Sequence, residues 1–336
     1  LQLRVLFMDS AQKEYTEIPA PILDLEALEE LHLDNNRIEV IPKEICHLRN
    51  IKVLYLNNNN ITHVCEELGE LQNLQRLDLS FNPLEYDSLN IVSKVQHLRE
   101  LRLYSANLEE LPVAICNSLQ CLELLGLSNN HLMSLPEETV KLVQLKEIYL
   151  QNNKLENFPM ELCLLPNLEI IDLERNALKA IPAEIGSLSK LLKLFLGFNS
   201  ISNIIPHLRK LTELNELALS GNELGEFPSK LCKLSSLSVL YLKNTAIKML
   251  PSDLSNLSYI RVLDLSQNLL TEIPPVICTL KQLEILSLDD NHISLLPSNI
   301  SCLQNLIILD CRNNLLKYNT THRIKTLILK LFLYFK

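Results

Sequence analysis

The sequence predicts an α/β solenoid, with a curved parallel β-sheet on its concave face and short helical or 3₁₀ turns on its convex face. The apolar pattern LxxLxLxxNxLxxLP recurs at thirteen positions from Leu28 to Leu306, and a degenerate repeat precedes them in residues 1–27. The spacing is 23 residues, with two intervals of 24. Apolar residues make up 47% of the 336 residues and aromatics only 5%, so we expect an aliphatic core that grows lengthwise.

The LxL part of each repeat predicts one short strand. Its apolar residues alternate with period two, so Leu31 and Leu33 should point inward while His32 points outward. Strands of successive repeats then pair in parallel. The segment that follows, residues 42–48, is compact enough for a helical or 3₁₀ turn, in which Ile45 and Leu48 close the core from the other side.

The repeat pattern resembles the leucine-rich-repeat family. The 23-residue spacing with LPxxIxxL after the Asn is similar to the intracellular subclass found in Ras-pathway and polarity scaffolds. Residues 28–42 and 98–112 resemble more closely the leucine-rich repeat and IQ domain-containing proteins. The sequence has no IQxxxRGxxxR motif, so the calmodulin binding of that family is not implied. We expect a repeat domain over residues 1–317.

The resemblance also implies a ladder of buried asparagine side chains that bond the turns of adjacent repeats, since a buried amide must find partners. Ala106 and Thr245 interrupt this ladder, and the turn at Ala106 should be weaker or hydrated. The predicted members are Asn36, Asn59, Asn82, Asn130, Asn153, Asn176, Asn199, Asn222, Asn268, Asn291 and Asn314.

Two segments depart from the pattern. Residues 83–93 carry Asp87 where an aliphatic residue is expected, which predicts a bulged outer loop that could also be functional. Residues 318–336 form an apolar and basic tail. Such a tail could dock on a membrane or a partner, but an improvised cap or a truncated gene is the more ordinary explanation. We expect it to pack over the last repeat or to be poorly ordered.

Composition and missing motifs argue against several functions. The net charge of −9 gives no basic footprint for nucleic acid, and no apolar run is long enough to span a membrane. The sequence lacks the phosphate-binding GxxxxGK[ST], the zinc motif HExxH and any CxxC pair. We therefore expect no enzyme activity, no cofactor and no metal.

The nine cysteines indicate a reducing compartment. Five of them occupy the same place in separate, non-adjacent repeats, too far apart for disulfides. Only Cys278 and Cys302 lie in neighbouring repeats. We expect free thiols and a cytoplasmic protein. The five equivalent residues are Cys46, Cys116, Cys163, Cys232 and Cys278.

The outward strand positions are the candidate binding surface, because the inward positions are almost uniformly aliphatic. Tyr149 and Phe195 lie two repeats apart, with Tyr104 and Phe198 on flanking columns, so they could form one central patch for a protein partner. The alternative is aromatic packing that merely covers the sheet. The candidate residues are Tyr55, Asp78, Arg102, Tyr104, Tyr149, Asp172, Phe195, Phe198, Tyr241 and Asp264.

Acidic side chains outnumber basic ones on this face, which favours a partner with a basic patch, although a negative surface could also serve only solubility. We expect a monomeric protein-binding scaffold in intracellular signalling. Two alternatives stay open: an extracellular recognition domain, and a regulatory subunit of a phosphatase or small-GTPase pathway. Sequons at Asn60 and Asn256 matter only for the first alternative.

Overall fold

The computed structural model describes residues 2–9 and 15–316. The tail predicted for residues 318–336 lies outside this range. The chain divides into two compact units, the first ending at Asp172 and the second beginning at Leu173. Each unit is a stack of repeats in which a three-residue strand alternates with a short helix.

The first unit contains eight strands that pair in parallel in chain order. The register is strict: the central residue of each strand lies beside the central residue of the next, as Leu54 lies beside Leu77. The strands are β1 (Val5–Phe7), β2 (Glu30–His32), β3 (Val53–Tyr55), β4 (Arg76–Asp78), β5 (Glu100–Arg102), β6 (Leu124–Gly126), β7 (Glu147–Tyr149) and β8 (Ile170–Asp172).

The opposite side of the first unit carries short helices, as the sequence predicts. Most begin directly after a proline, whose restricted φ suits the extended residue that precedes a helix. The α-helices are α1 (Ala20–Leu23), α2 (Tyr86–Val92) and α3 (Val113–Ser118). The 3₁₀ helices are Lys43–His47, Glu66–Glu70, Glu137–Lys141 and Met160–Leu164.

The second unit repeats the same arrangement, with 3₁₀ helices throughout its described part. Its strands are β9 (Lys193–Phe195), β10 (Glu216–Ala218), β11 (Val239–Tyr241), β12 (Val262–Asp264), β13 (Ile285–Ser287) and β14 (Ile308–Asp310). Its 3₁₀ helices are Ala183–Ser187, Pro206–Lys210, Ser229–Lys233, Ser252–Asn256, Pro275–Thr279 and Ile300–Cys302.

The core is aliphatic and lies between the strands and the helices. In β7, Ile148 is fully buried while Glu147 and Tyr149 on either side are half-exposed. The helices contribute from the other side, as Ile45 and Leu48 do with no exposed surface. Burying one such side chain stabilises the fold by about 1.5–3 kcal/mol, so these repeated contacts dominate the folding free energy.

The predicted asparagine ladder is present. In a representative step, the Asn59 amide nitrogen donates to the carbonyls of Leu33 and Leu56, both at 3.0 Å. Its Oδ1 accepts the backbone N–H of Ile38 at 3.0 Å. Each amide therefore joins the turn of its own repeat to the turn of the preceding repeat, which leaves no orphaned backbone group there.

The two interruptions of the ladder share one backbone change. At both, the residue after the ladder position has positive φ as well as the residue before it: Asn107 at 59° and Ala246 at 59°. Ala106 is fully buried, and its N–H donates to Asn130 Oδ1 at 3.0 Å. Thr245 uses its hydroxyl, which donates to the Leu242 carbonyl at 2.8 Å.

The bulged loop predicted for residues 83–93 is wrong, because most of this segment forms helix α2. Leu89 and Val92 are fully buried, and their i, i+3 spacing places them on one helix face. The Ser88 hydroxyl accepts the Val64 N–H at 3.1 Å and donates to the Thr62 carbonyl at 3.2 Å. The two 24-residue repeats are those that carry α2 and α3, so each accommodates its extra residue in a helix.

Replacing Asn130 by Ala should lower the free energy of unfolding by about 3 kcal/mol, because it leaves buried carbonyls and N–H groups without hydrogen-bond partners. Asn130 donates to the carbonyls of Leu103 (2.8 Å) and Leu127 (2.9 Å) and accepts two backbone N–H groups. The matched control is Asn129→Gly: this residue is exposed with φ 59°, which glycine adopts freely, so the change should stay within about 0.5 kcal/mol. If urea denaturation showed equal losses of unfolding free energy in the two variants, the role of the ladder would be contradicted.

Replacing Ala246 by Gly should stabilise the protein by about 0.5–1 kcal/mol. A left-handed conformation costs an L-residue about 1–2 kcal/mol, and glycine removes most of that cost despite its larger entropy loss. The control is Ala180→Gly, at an exposed residue without positive φ, which should lose about 0.5–1 kcal/mol. Thermal denaturation of both variants checks the sign, and a destabilised Ala246→Gly would disprove the strain.

Candidate functional site

The outward residues of the strands, with the polar or aromatic residues two and three positions after each strand, define a surface that we call the sheet face. All ten residues predicted from the sequence lie on it. Most are half-exposed, but Asp78 is buried and therefore poorly available to a partner. The first unit holds Tyr55, Asp78, Arg102, Tyr104, Tyr149 and Asp172, and the second holds Phe195, Phe198, Tyr241 and Asp264.

Aromatic rings run along the first strands of the sheet face. The Phe7 ring lies 4.4 Å from the His32 ring, which meets Tyr55 edge to face at 4.9 Å. The Arg102 guanidinium lies 6.0 Å from the Tyr55 centroid. Phe7 is 65% exposed and was missed by the sequence analysis, although the outward position in the degenerate first repeat was a usable signal.

Charges in the middle of the first unit largely compensate one another. Glu100 pairs with Arg102, whose Nη2 lies 2.5 Å from its Oε1, and with Arg76 at 3.6 Å. Asp78 accepts the Ser80 N–H at 2.9 Å, while burial raises the pKa of its carboxyl. Burial likewise raises the pKa of Asp34 to about 6.

Tyr104 and Tyr149 form a contact that depends on a glycine between them. The Tyr104 ring crosses strand β6 at Gly126, where an added Cβ would lie 2.4 Å from the Tyr104 Cζ. The ring meets Tyr149 with centroids 6.5 Å apart and planes inclined by 73°. Any side chain at Gly126 would displace Tyr104, so the glycine determines this arrangement.

Glu147 completes this cluster. The Tyr149 hydroxyl donates to Glu147 Oε2 at 2.7 Å. Burial, followed by this hydrogen bond and the Glu147 charge, raises the pKa of Tyr149 well above its ordinary value. Burial raises the pKa of Tyr104 to about 12. Both phenols are therefore neutral hydrogen-bonding groups near neutral pH.

The second unit has its own aromatic contact. The Arg175 guanidinium lies 4.4 Å from the Phe198 centroid. The Phe198 ring covers Gly221, where an added Cβ would lie 2.5 Å from it. Arg175 and Phe198 both have positive φ, 54° and 55°. Both residues directly precede a ladder asparagine, the place where other repeats also have positive φ, so this conformation belongs to the repeat turn.

Acidic groups gather on the later strands of the second unit. The Asp264 carboxylate accepts the Ser266 hydroxyl at 2.6 Å. Asp310 pairs with Arg312. Burial raises the pKa of Asp289, and the nearby carboxylates, led by Asp310, raise it further. This end of the sheet face therefore repels anions.

The single aromatic patch predicted around Tyr149 and Phe195 remains a prediction. Tyr104 and Tyr149 contact each other in the first unit, whereas Phe195 and Phe198 belong to the second. Within residues 2–9 and 15–316, no group of three His, Cys, Asp or Glu side chains is arranged to hold a metal. None of the helices in the described part of the chain has the length and apolarity needed to cross a membrane.

Similarity to known proteins extends along the chain. Over 162 residues it is 55% identical to the leucine-rich repeat and IQ domain-containing protein 4 of Mus musculus. That match covers 48% of this chain but only 27% of the mouse protein, so the chain spans under a third of this relative.

Two solved structures show the same fold. An LRR protein of Leptospira interrogans is 29% identical with a TM-score of 0.80, over 96% of this chain and 94% of that one. The LRR ectodomain of the Arabidopsis thaliana receptor kinase GASSHO1/SCHENGEN3, solved with CASPARIAN STRIP INTEGRITY FACTOR 2, is 32% identical with a TM-score of 0.69. That match covers 88% of this chain and 40% of the receptor chain.

Residues 26–84, 96–155, 166–224 and 235–293, more than half of the chain, match the family described as Leucine rich repeat. Stacked repeats with an extended sheet face are a fold that proteins use to bind other proteins. The strand register, the asparagine ladder and these matches agree: the chain belongs to the leucine-rich-repeat family.

Proposed function

We propose that this protein is a non-enzymatic scaffold that binds a protein partner through its sheet face in intracellular signalling. The carrying observation is the contrast between the two sides of each strand. Inward residues are uniformly aliphatic, whereas outward residues include half-exposed aromatics such as Tyr149, Phe195 and Tyr241. Aromatic side chains anchor interfaces because they bury a large area with little loss of conformational entropy.

The charges of the sheet face support a partner with a basic patch. Burial raises the pKa of Asp289, and repulsion from the nearby carboxylates, led by Asp310, raises it further. A positive partner would relieve this repulsion and be drawn in at long range. We expect the chain to act as a monomer that offers this surface.

The thiols support a cytoplasmic location. All nine cysteines lie in the described residues and none forms a disulfide, and Cys116, Cys163, Cys232 and Cys278 are buried. Burial raises the pKa of Cys116 and of Cys232 to about 11, so these thiols stay protonated and unreactive. Small buried thiols without a disulfide are typical of proteins in reducing compartments.

An extracellular recognition domain is the second candidate. The similarity to a plant receptor ectodomain favours it, and the sequon residues Asn60 and Asn256 are exposed. Intact-mass measurement of the protein from its native source separates the two candidates. Glycan mass at these sites would support the extracellular location, whereas an unmodified chain with nine free thiols would support the cytoplasm. A regulatory subunit of a phosphatase or small-GTPase pathway would differ from the scaffold only in the identity of its partner.

Tyr149→Ala combined with Phe195→Ala should abolish capture of the partner from cell extract, with at least about a tenfold loss of affinity, as expected for aromatic anchors. The control is Met160→Ala combined with Leu164→Ala, which removes exposed apolar side chains from the helical side. The control should retain the partner. Circular dichroism should show both variants folded. Loss of the partner from the control alone would place the interface on the helical side.

Association with the partner should become much slower as the salt concentration rises. Between about 0.1 M and about 1 M ionic strength the screening length falls from about 10 Å to about 3 Å, which removes long-range attraction between charged surfaces. We expect the association rate constant, measured by surface plasmon resonance, to fall at least about tenfold while the dissociation rate changes less. A rate independent of salt would contradict a basic partner.

A further inference from the structure

We propose that Tyr104, Tyr149 and Glu147 form a recognition site for the side-chain ammonium of a lysine on the protein partner. The inference rests on the proposed function and names the chemistry that the partner must bring to this place. All three residues lie in the first unit, and their mutual contacts are direct.

The two rings meet edge to face, so that they stand as two walls of a corner. Their planes are inclined by 73° and their centroids lie 6.5 Å apart. One cation can therefore lie within about 6 Å of both centroids, the range over which a ring quadrupole attracts it. The missing side chain at Gly126 leaves space for the Tyr104 ring, since a Cβ there would collide with the ring. The corner is therefore formed before a ligand arrives.

A carboxylate lies beside the rings. Glu147 accepts the Tyr149 hydroxyl at 2.7 Å, which orients it next to the ring. Another carboxylate of this face, Glu100, already forms ion pairs with Arg102 and Arg76. The neighbouring Lys146 pairs with Glu123 at 2.7 Å, not with Glu147. After burial and the Tyr149–Glu147 hydrogen bond, the charges of Glu147 and Asp172 also raise the pKa of Tyr149, whereas the charge of Arg102 lowers that of Tyr104, so the negative charge lies on the Tyr149 side of the corner.

An ammonium fits this site better than a guanidinium. A lysine ammonium is a compact charge that can face two rings and a carboxylate together, whereas arginine is planar and prefers to stack flat on a single ring. The Arg175 guanidinium beside Phe198 illustrates that one-ring geometry in the second unit. Methylation of the ammonium keeps its charge and adds apolar contact with the rings, so methylated lysine should bind more tightly.

The test uses the full chain labelled with 3-fluorotyrosine and followed by ¹⁹F NMR, with Tyr104→Phe and Tyr149→Phe assigning the two resonances. The probes are Nα-acetyl-lysine methylamide, its trimethyllysine and Nε-acetyl-lysine forms, and the arginine equivalent. We expect the lysine probe to shift both resonances and trimethyllysine to bind at least about threefold more tightly. The neutral Nε-acetyl form should shift neither. Arginine binding as well as lysine, or no shift with trimethyllysine, would overturn the proposal.

Three variants separate the site from general charge. Glu147→Gln should weaken lysine-probe binding about fivefold by removing the carboxylate charge. Gly126→Ala should weaken it at least as much by displacing Tyr104. The matched control Glu216→Gln removes a sheet-face carboxylate that already pairs with Lys193 at 3.0 Å, and binding should be unchanged. Equal weakening by both glutamate variants would show that only net charge matters and would overturn the site.

The two proposals fail in different ways. If the lysine probe leaves Tyr104 and Tyr149 unmoved but Tyr149→Ala with Phe195→Ala still loses the partner, the sheet face binds proteins and the ammonium site is wrong. If the probe binds at the corner but the sheet-face variants retain the partner, the scaffold proposal is wrong, and so is the assignment of this ammonium to that partner.

Discussion

The buried asparagine amide is the interaction on which the rest of the structure depends. A turn that follows a three-residue strand leaves carbonyl and N–H groups facing the interior, where water cannot reach them. One amide, such as that of Asn59, bonds two carbonyls and one N–H from two successive repeats. Leaving such groups unpaired costs about 1–3 kcal/mol each, comparable to the gain from a buried leucine. In most repeats the amides therefore close the turns between the layers of the aliphatic core.

The outward residues of the strands are available for recognition. Inward leucines and the amides carry the stability, so neighbouring outward positions can hold tyrosine, arginine, glutamate or glycine without loss of the frame. Gly126 and Gly221 are the exceptions, because each leaves room for an aromatic ring from the preceding repeat. At these two positions the surface chemistry depends directly on the backbone.

Most of the fold was predictable from the sequence, because the period of 23 residues specifies the strands and the family resemblance implies the ladder. Helix α2 was not predicted, because Asp87 breaks the aliphatic repeat pattern, although Leu89 and Val92 have the spacing of one helix face. The additional positive-φ residues, Asn107 and Ala246, were not predictable either. Each follows a ladder position that lacks an asparagine, and an amide there would have had partners in another repeat. The positions of the candidate residues on the sheet face were predictable from alternation. The burial of Asp78 and the Tyr104–Tyr149 contact were not, because they depend on side-chain directions between repeats.

The two interruptions of the ladder have a consequence for how the protein comes apart. In a repeat protein the free energy is close to a sum of terms for single repeats and terms for neighbouring pairs. A missing amide weakens one pair term and leaves the repeats on either side intact. The weakened joints lie at Ala106 in the first unit and at Thr245 in the second. Under mechanical tension or protease attack, the chain should separate there into blocks of several repeats that each keep their own core.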